Sequence, residues 1–378
     1  MSQSKKPVID ATSTPLASIF GSGFLVIVPI LAGAVGKYSV FAMAAVCAFA
    51  YAVGSVIRFN IRRAEPVLAE KPPESTLSLE RASDLALVAA YIISVCLYLH
   101  ILSSFVLGGL NADTELNENI LTTAVIVIIM TIGLTKGLGS LGELEKIGLY
   151  ITLLIIVLLL AGFTIYDVKA MGASGGIVMP ESTPHSAWEI LTIVAGTLIV
   201  VQGFETTRYL GEEFDADTRV SASRWSQIIS TAVYLVFIAV ATPLVHTLDG
   251  QYDDNSLIKL AGTASALLVA PLIIAAAMSQ FSAAVADTLG ATGNMEEATQ
   301  GHLKSKFGTI LVGGGAIALC WSASTEEILA IASRAFAFYY LLQCLVAVTV
   351  CKSTPGRVGV VAIACVLAFI TIFAVPAG

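Results

Sequence analysis

Of the ionisable residues inside or at the edge of long apolar runs, Lys146, Glu205, Arg208, Asp287 and Arg334 are the candidates for chemistry. A charge in hydrocarbon is expensive, so such residues pair with one another or mark the path of an ion or substrate. Glu205 and Arg208 stand three apart, the spacing of neighbours on a helix face, and form one candidate pair. Asp287 and Arg334 form a second, either an outer gate or a bridge that holds the fold. Lys146 opens an apolar run and either carries a proton or snorkels to the interface. Ser279 and Ser282 lie one turn apart on one face. They suit a small cation or an ammonium group, or they bond back to their own helix. Tyr91, Ser94 and Tyr98 share a stripe at i, i+3 and i+7, which either lines a pocket or packs. All this is chemistry of binding and charge relay. For bond-making chemistry, the four histidines form no ligand-spaced pair and the six cysteines no C-x-x-C pair. No phosphate-binding G-x-x-x-x-G-K-[ST] loop is present, so any uphill work draws on an ion gradient. The reading is no enzyme, no cofactor and no metal site.

The elements that hold these residues are membrane spans. The chain is 56% hydrophobic and 12% charged over 378 residues, against roughly 25% charged for a soluble protein. Its apolar runs reach the roughly 20 residues a crossing helix needs, without the alternation of barrel strands. About eleven spans follow. They lie near Pro15–Gly36, Tyr38–Phe59, Ala82–Leu110, Ile120–Thr135, Lys146–Ile165 and Ala187–Thr206. The rest lie near Ser226–Leu248, Leu257–Gly290, Phe307–Ser322, Glu327–Cys351 and Val358–Val375. One membrane domain, 1–378, with its lipid bilayer as partner, is the reading. The opening "MSQSKK" has no cleavage signal after it, so the first span is read as retained. Arg58, Arg62, Arg63, Lys71 and Arg81 gather in one loop, and Arg208, Arg219 and Arg224 in another on the same side. Alternate loops are acidic or neutral. The expectation is a multi-pass protein of the cell (plasma or inner) membrane with a cytoplasmic N-terminus. The net charge of −7 sits largely in loops and implies no nucleic-acid partner.

Two spans are interrupted. The first carries Gly21, Ser22 and Gly23 inside "IFGSGFLVIVP"; the sixth carries Gln202, Gly203, Phe204 and Glu205. Backbone left unpaired in lipid costs several kcal/mol per group, so a break must face protein or a wet cavity. Four uninterrupted spans separate the two breaks, which divides the chain into two five-helix halves, about 15–165 and 187–351, with an extra helix at about 358–375. Paired interruptions of this kind point to a transporter site. At the first break a half-helix N-terminus suits a carboxylate; at the sixth, exposed carbonyls suit an ammonium.

The "GSGF" of the first span and "GFE…GEEFDADTR" at the sixth resemble the amino acid–polyamine–organocation (APC) transporters. The resemblance runs over the first ten spans, in order and spacing. It implies a leucine-transporter-type fold, with inverted 5+5 helix repeats, discontinuous helices 1 and 6 and here one extra helix. It also implies that Lys146 fills, as in some proton-coupled members, the place that sodium takes in others. Ser279 and Ser282 then stand where the eighth helix supplies ion-binding hydroxyls. The chain departs from the pattern in lacking a twelfth span, in its first intracellular loop and in "GATGNMEEATQ" after the eighth span.

The expected function is secondary active transport of an amino acid or related small amine or zwitterion, coupled to protons, by alternating access. Gly21, Ser22, Gly23, Tyr91, Ser94, Gln202, Gly203, Phe204 and Glu205 are the expected substrate-binding residues. Lys146, Ser279 and Ser282 are expected to couple the ion, and Asp287 and Arg334 to gate. Sodium coupling, or transport of an inorganic cation such as potassium, is the alternative.

Overall fold

The structure, a computed structural model, describes residues 6–375 except 22, 138–141, 174–175, 182–184, 254 and 300–301. The side chains of residues 6, 142–146, 297 and 298 also lie outside it. Every regular element among the described residues is helical. They are α1 (Lys6–Gly21), α2 (Ile27–Val35), α3 (Ser39–Ala69), α4 (Glu74–Gly108), α5 (Glu115–Thr135), α6 (Gly142–Gly172) and α7 (Ala187–Ala195). Then follow α8 (Ala216–Ala241), α9 (Ser256–Ala264), α10 (Val269–Ala298), α11 (Ser305–Cys320), α12 (Thr325–Val350) and α13 (Thr354–Phe373). Three 3₁₀ segments matter to the site: Leu198–Val201, Phe204–Leu210 and Thr242–Leu248. Among the described residues, eight helical stretches are long and apolar enough to cross a membrane, and α11 is a shorter apolar helix.

The centre of the bundle is α4. Of its apolar window 72% is buried, against 28% for α5 and 17% for α13, so α4 meets protein over most of its surface while the other two are largely uncovered. That is why α4 shows no single apolar stripe. It packs on α10 and α12, and α1 packs on α8, α6 and α10. Several helix starts carry side-chain caps. Ser186 and Ser324 form capping boxes with Glu189 and Glu327. Asp215 accepts from the Thr218 amide at 2.7 Å, and that bond holds its carboxyl below the usual range.

Three boundaries differ from the sequence expectation. The first helix begins at Lys6, well before Pro15. The polar stretch after the second span is not a long loop: α3 runs on to Ala69 and α4 starts at Glu74. Its charges are what carry helix out of the apolar run, since Arg62 and Glu65 find partners on α8 across the bundle. The eighth span, expected from Leu257, is two helices. Ser265 is extended at φ −167° and caps the following turn through Leu267, which separates α9 from α10.

Both expected breaks are present. α1 stops at Gly21 and α2 starts at Ile27. α7 stops at Ala195, and the chain passes through Leu198–Val201 before turning at Gly203. The breaks touch each other. A Cβ on Gly23 would stand 2.9 Å from the Val200 Cα, so only glycine permits that approach. Gly203 has φ +124°, a region that favours glycine, and a Cβ there would meet the Ile19 amide at 2.7 Å. Phe20, Phe24, Phe204, Tyr234 and Phe237 are buried around this crossing. Phe24 and Phe237 lie 4.1 Å apart at their ring centroids, and such pairs add about 0.5–1.5 kcal/mol beyond the area they bury.

Candidate functional site

Where a helix breaks inside a bundle, its backbone groups need partners. Here side chains from the unbroken helices supply them. The Tyr234 hydroxyl of α8 lies 3.0 Å from the Ile19 carbonyl and 2.8 Å from that of Val200, so one hydroxyl ties both broken helices. Gln280 of α10 donates to the Gly21 carbonyl at 2.8 Å. Ser333 of α12 accepts from the Ile199 amide at 3.1 Å and donates to the Gly196 carbonyl at 2.6 Å. Glu205 is fully buried and accepts from the Gly203 amide at 2.8 Å and the Tyr340 hydroxyl at 2.6 Å. Phe204 stacks on the Tyr340 ring at 5.3 Å. Gln202 donates to the Tyr98 hydroxyl at 2.9 Å.

Beside this crossing lies a cavity of about 170 Å³, on the side that leads to Lys6. Its walls come from α1, α4, α6, α10 and the Phe204–Leu210 segment. Tyr91, Ser279, Ser282 and Asp287, four of the residues singled out from sequence, line it together. Thr206 and Tyr209 add hydroxyls from the broken sixth helix, and Ser18 and Thr152 from α1 and α6. Ser94 donates to the Asp287 carboxylate. α6 and α10 meet at this level, where a Cβ on Gly148 would stand 3.3 Å from the Ser282 Oγ.

The structure therefore divides the expected residues into two groups. Tyr91, Ser94, Ser279, Ser282 and Asp287 gather at the cavity, Ser94 through Asp287. Gly21, Gly23, Gln202, Gly203, Phe204 and Glu205 form the packed crossing above it. Ser22 and the side chain of Lys146 lie outside the described residues. Two expected pairings do not form. Arg208 turns away from Glu205 and pairs with Glu80 of α4 at 2.7 Å, with Glu65 of α3 at 3.8 Å. The pull of two carboxylates exceeds that of one already bonded to Tyr340 and an amide. Arg334 makes no ion pair with Asp287 among the described residues and donates to the Ala374 carbonyl at 2.6 Å. At the first break, the Val26 and Ile27 amides both point at the Gly23 carbonyl at 3.2 Å, so these two donors are turned inward. Sequence reasoning missed Tyr234, Gln280, Ser333, Tyr340, Glu65 and Glu80. Gln280 carried a usable signal, a polar residue within the apolar run beside Ser279. The glutamates gave none, because their segment reads as solvated loop.

A mostly apolar cavity with a few hydroxyls and one carboxylate, walled in part by both broken helices of an all-helical bundle, fits one class: a membrane transporter, with the leucine-transporter-type fold. The architecture is shared with MhsT, crystallised in complex with L-phenylalanine, at a TM-score of 0.65 and 13% identity over 99% of this chain and 98% of that one. A manganese transporter from Eremococcus coleocola is similar at a TM-score of 0.58 and 11% identity, over 97% of this chain and 86% of its own. The inward-facing conformation of Mhp1 is similar at 0.55 and 13%, over 90% and 76%. In sequence, an uncharacterized protein of Aquifex aeolicus (strain VF5) is 41% identical over 339 residues, 88% of this chain and 82% of the relative. Residues 2–375 match the family described as APC superfamily transporter, and the chain belongs to that family.

Proposed function

We propose that this chain is a secondary active transporter of an amino acid or related small amine, coupled to protons, working by alternating access. The observation that carries the reading is the cavity itself. It adjoins the crossing of both broken helices, and one carboxylate and several hydroxyls converge on it. Acceptors of this kind receive an ammonium group. MhsT, solved with an amino acid, shares the architecture, which is consistent with such a cargo. Gly21–Gly23 and Gln202–Glu205 contact the substrate when the crossing loosens, and Tyr91 and Ser94 hold Asp287 and the cargo from α4. Ser279, Ser282 and Lys146 couple the ion, with the lysine's proton as the coupling ion. Asp287 gates from within the cavity, and Arg334 holds the opposite end closed through the backbone beyond α13. The halves 15–165 and 187–351 rock against each other, with 358–375 as an outer helix. The clustered arginines keep the N-terminus in the cytoplasm, in the cell membrane.

The second reading, transport of an inorganic cation, draws on the manganese transporter of like fold. Manganese wants several oxygen or imidazole ligands. Among the described residues no group of three His, Cys, Asp or Glu side chains is placed to hold a metal.

Uptake into proteoliposomes separates these readings. Amino acids and small amines should enter faster as the outside is acidified, without sodium, and a protonophore should abolish the accumulation. Lys146→Ala should lose concentrative uptake and keep exchange. Accumulation driven by sodium, or of manganese or potassium in place of amines, would contradict the proposal.

A further inference from the structure

On the side of the crossing away from Lys6, the outer halves of the two broken helices, α2 and α7, pack on each other. Ala34 and Val35 at the end of α2 form a small apolar cluster with Ile193 of α7, and Val375, two residues past α13, packs against it. The bonds that seat the 374–375 segment run through its backbone. The Val375 amide donates to the Thr192 carbonyl of α7 at 3.2 Å. The Val375 carbonyl lies so close to Gly196, the cap of α7, that a Cβ there would stand 2.5 Å from its oxygen. The Ala374 carbonyl accepts from Nε of Arg334 on α12 at 2.6 Å, and Ala374 is fully buried. Ser333, the neighbour of Arg334, donates to the Gly196 carbonyl and accepts from the Ile199 amide. Consecutive residues of α12 thus hold the segment and the end of α7 side by side. Trp188 in the first turn of α7 meets Phe369 and Phe373 of α13 edge-on, with centroids 5.7 and 5.4 Å apart. A buried peptide group that loses its partner is costly, so these contacts bind the segment in one place.

We propose that the 374–375 segment is a latch: it joins α2, α7 and α12 on the side away from the cavity, and it lets go of Thr192 and Gly196 before the two half-helices part. The proposal rests on alternating access, under which that side opens in its turn. It makes α13, the helix outside the two five-helix halves, a working part of the gate rather than an outer support. The two ends of the latch differ in strength. A guanidinium bond to a carbonyl is charge-assisted, and the amide bond to Thr192 is not. The segment therefore stays on Arg334 and releases from α7, which frees α7 and the end of α2 together.

The test uses the full chain, otherwise cysteine-free, with Val35→Cys as the reporter and N-ethylmaleimide as the probe. Gly196→Ala pushes the Val375 carbonyl away, and Arg334→Gln removes the charged donor. Each should speed labelling at position 35 roughly 10-fold, the factor that loss of one such bond allows, and the two together should add little to the larger effect. The rate of Ala286→Cys, in the cavity on the other side, should stay as it was. Unchanged rates at position 35, or equal acceleration at position 286, would overturn the proposal. These rates need no substrate, so they judge the latch even if the proposed cargo is wrong. A second measurement serves if melting curves show that the two variants do not fold. Thr192→Cys with Val375→Cys should cross-link under copper phenanthroline, the cross-linked protein should lose uptake, and dithiothreitol should restore it. Failure to cross-link, or uptake that the cross-link leaves unchanged, would overturn the latch as well.

Discussion

α1 and the Phe204–Leu210 segment occupy matching places. Each is the half of a broken helix on the side of the crossing that leads to Lys6, and each lines the cavity. They are held by different forces. Among the described residues no ion pair reaches α1, and the hydroxyls of Thr12 and Ser13 bond back to their own helix at Val8 and Asp10. α1 is tied at its broken end, by Tyr234 and Gln280, and otherwise by apolar packing. The Phe204–Leu210 segment is fixed along its length. Arg208 meets Glu80 and Glu65; Arg219 of α8 pairs with Glu65 at 2.6 Å and donates to the Arg208 carbonyl at 3.0 Å. Glu205 and Phe204 are held by Tyr340. Charge-assisted bonds depend steeply on geometry, whereas apolar faces slide at little cost. The difference makes α1 the element expected to swing as a hinge when the cavity opens, and the sixth helix the anchor expected to stay with α3, α4 and α8.

The largest expected effect comes from cutting the anchor. Glu80→Ala leaves the Arg208 guanidinium buried with a weaker partner, and removing one side of a buried pair costs about 3–5 kcal/mol. The apparent melting temperature in detergent should fall sharply, and replacing Glu80 and Arg208 together with Leu and Met should recover much of it. An unchanged melting temperature in Glu80→Ala would mean that charge does not anchor the segment. Next comes the shared tie. Tyr234→Phe removes the hydroxyl between the two carbonyls, worth about 1–2 kcal/mol. In a cysteine-free background, a cysteine at Ser18 should then react faster with thiol reagents while one at Thr206 keeps its rate. Equal acceleration at both would show that the halves move as one body and end the distinction. The smallest effect belongs to the surface pair of Arg62 and Asp217, 2.9 Å apart with side chains 50% and 74% exposed. Asp217→Asn should cost under about 1 kcal/mol and change neither labelling rate, which confines the anchor to the buried charges.

The two breaks were legible in the sequence and the anchoring charges were not, for a physical reason. Gly21, Gly23 and Gly203 are anomalies within apolar runs, and a run of sequence contains all that is needed to notice them. Ser279 and Ser282 were placed on one face by spacing alone, and both reach the cavity. Partners are another matter. Local spacing offered Glu205 to Arg208, yet the partner it takes is 128 residues away. Glu65 and Glu80 lie in a stretch whose charge density reads as solvated, and their burial comes from α8 and the Phe204–Leu210 segment folding over them. Tyr234 and Ser333 look like ordinary span residues until the breaks they serve are brought beside them. The end of α9 at Ser265 was hidden because the residues on both sides are apolar enough to read as one span.

The central claim is that the cavity beside the crossing is where the transported molecule sits. Ala286 of α10 lines it and is partly exposed, so a cysteine there adds one sulfur at the cavity wall. The direct measurement is the alkylation rate of Ala286→Cys, in an otherwise cysteine-free transporter reconstituted in liposomes, over a range of substrate concentrations. The account predicts that a substrate accumulated by the protein slows the reaction, with half-protection at the concentration that half-saturates uptake. An alkylation rate unmoved by saturating substrate, in a variant that still transports it, would contradict the account.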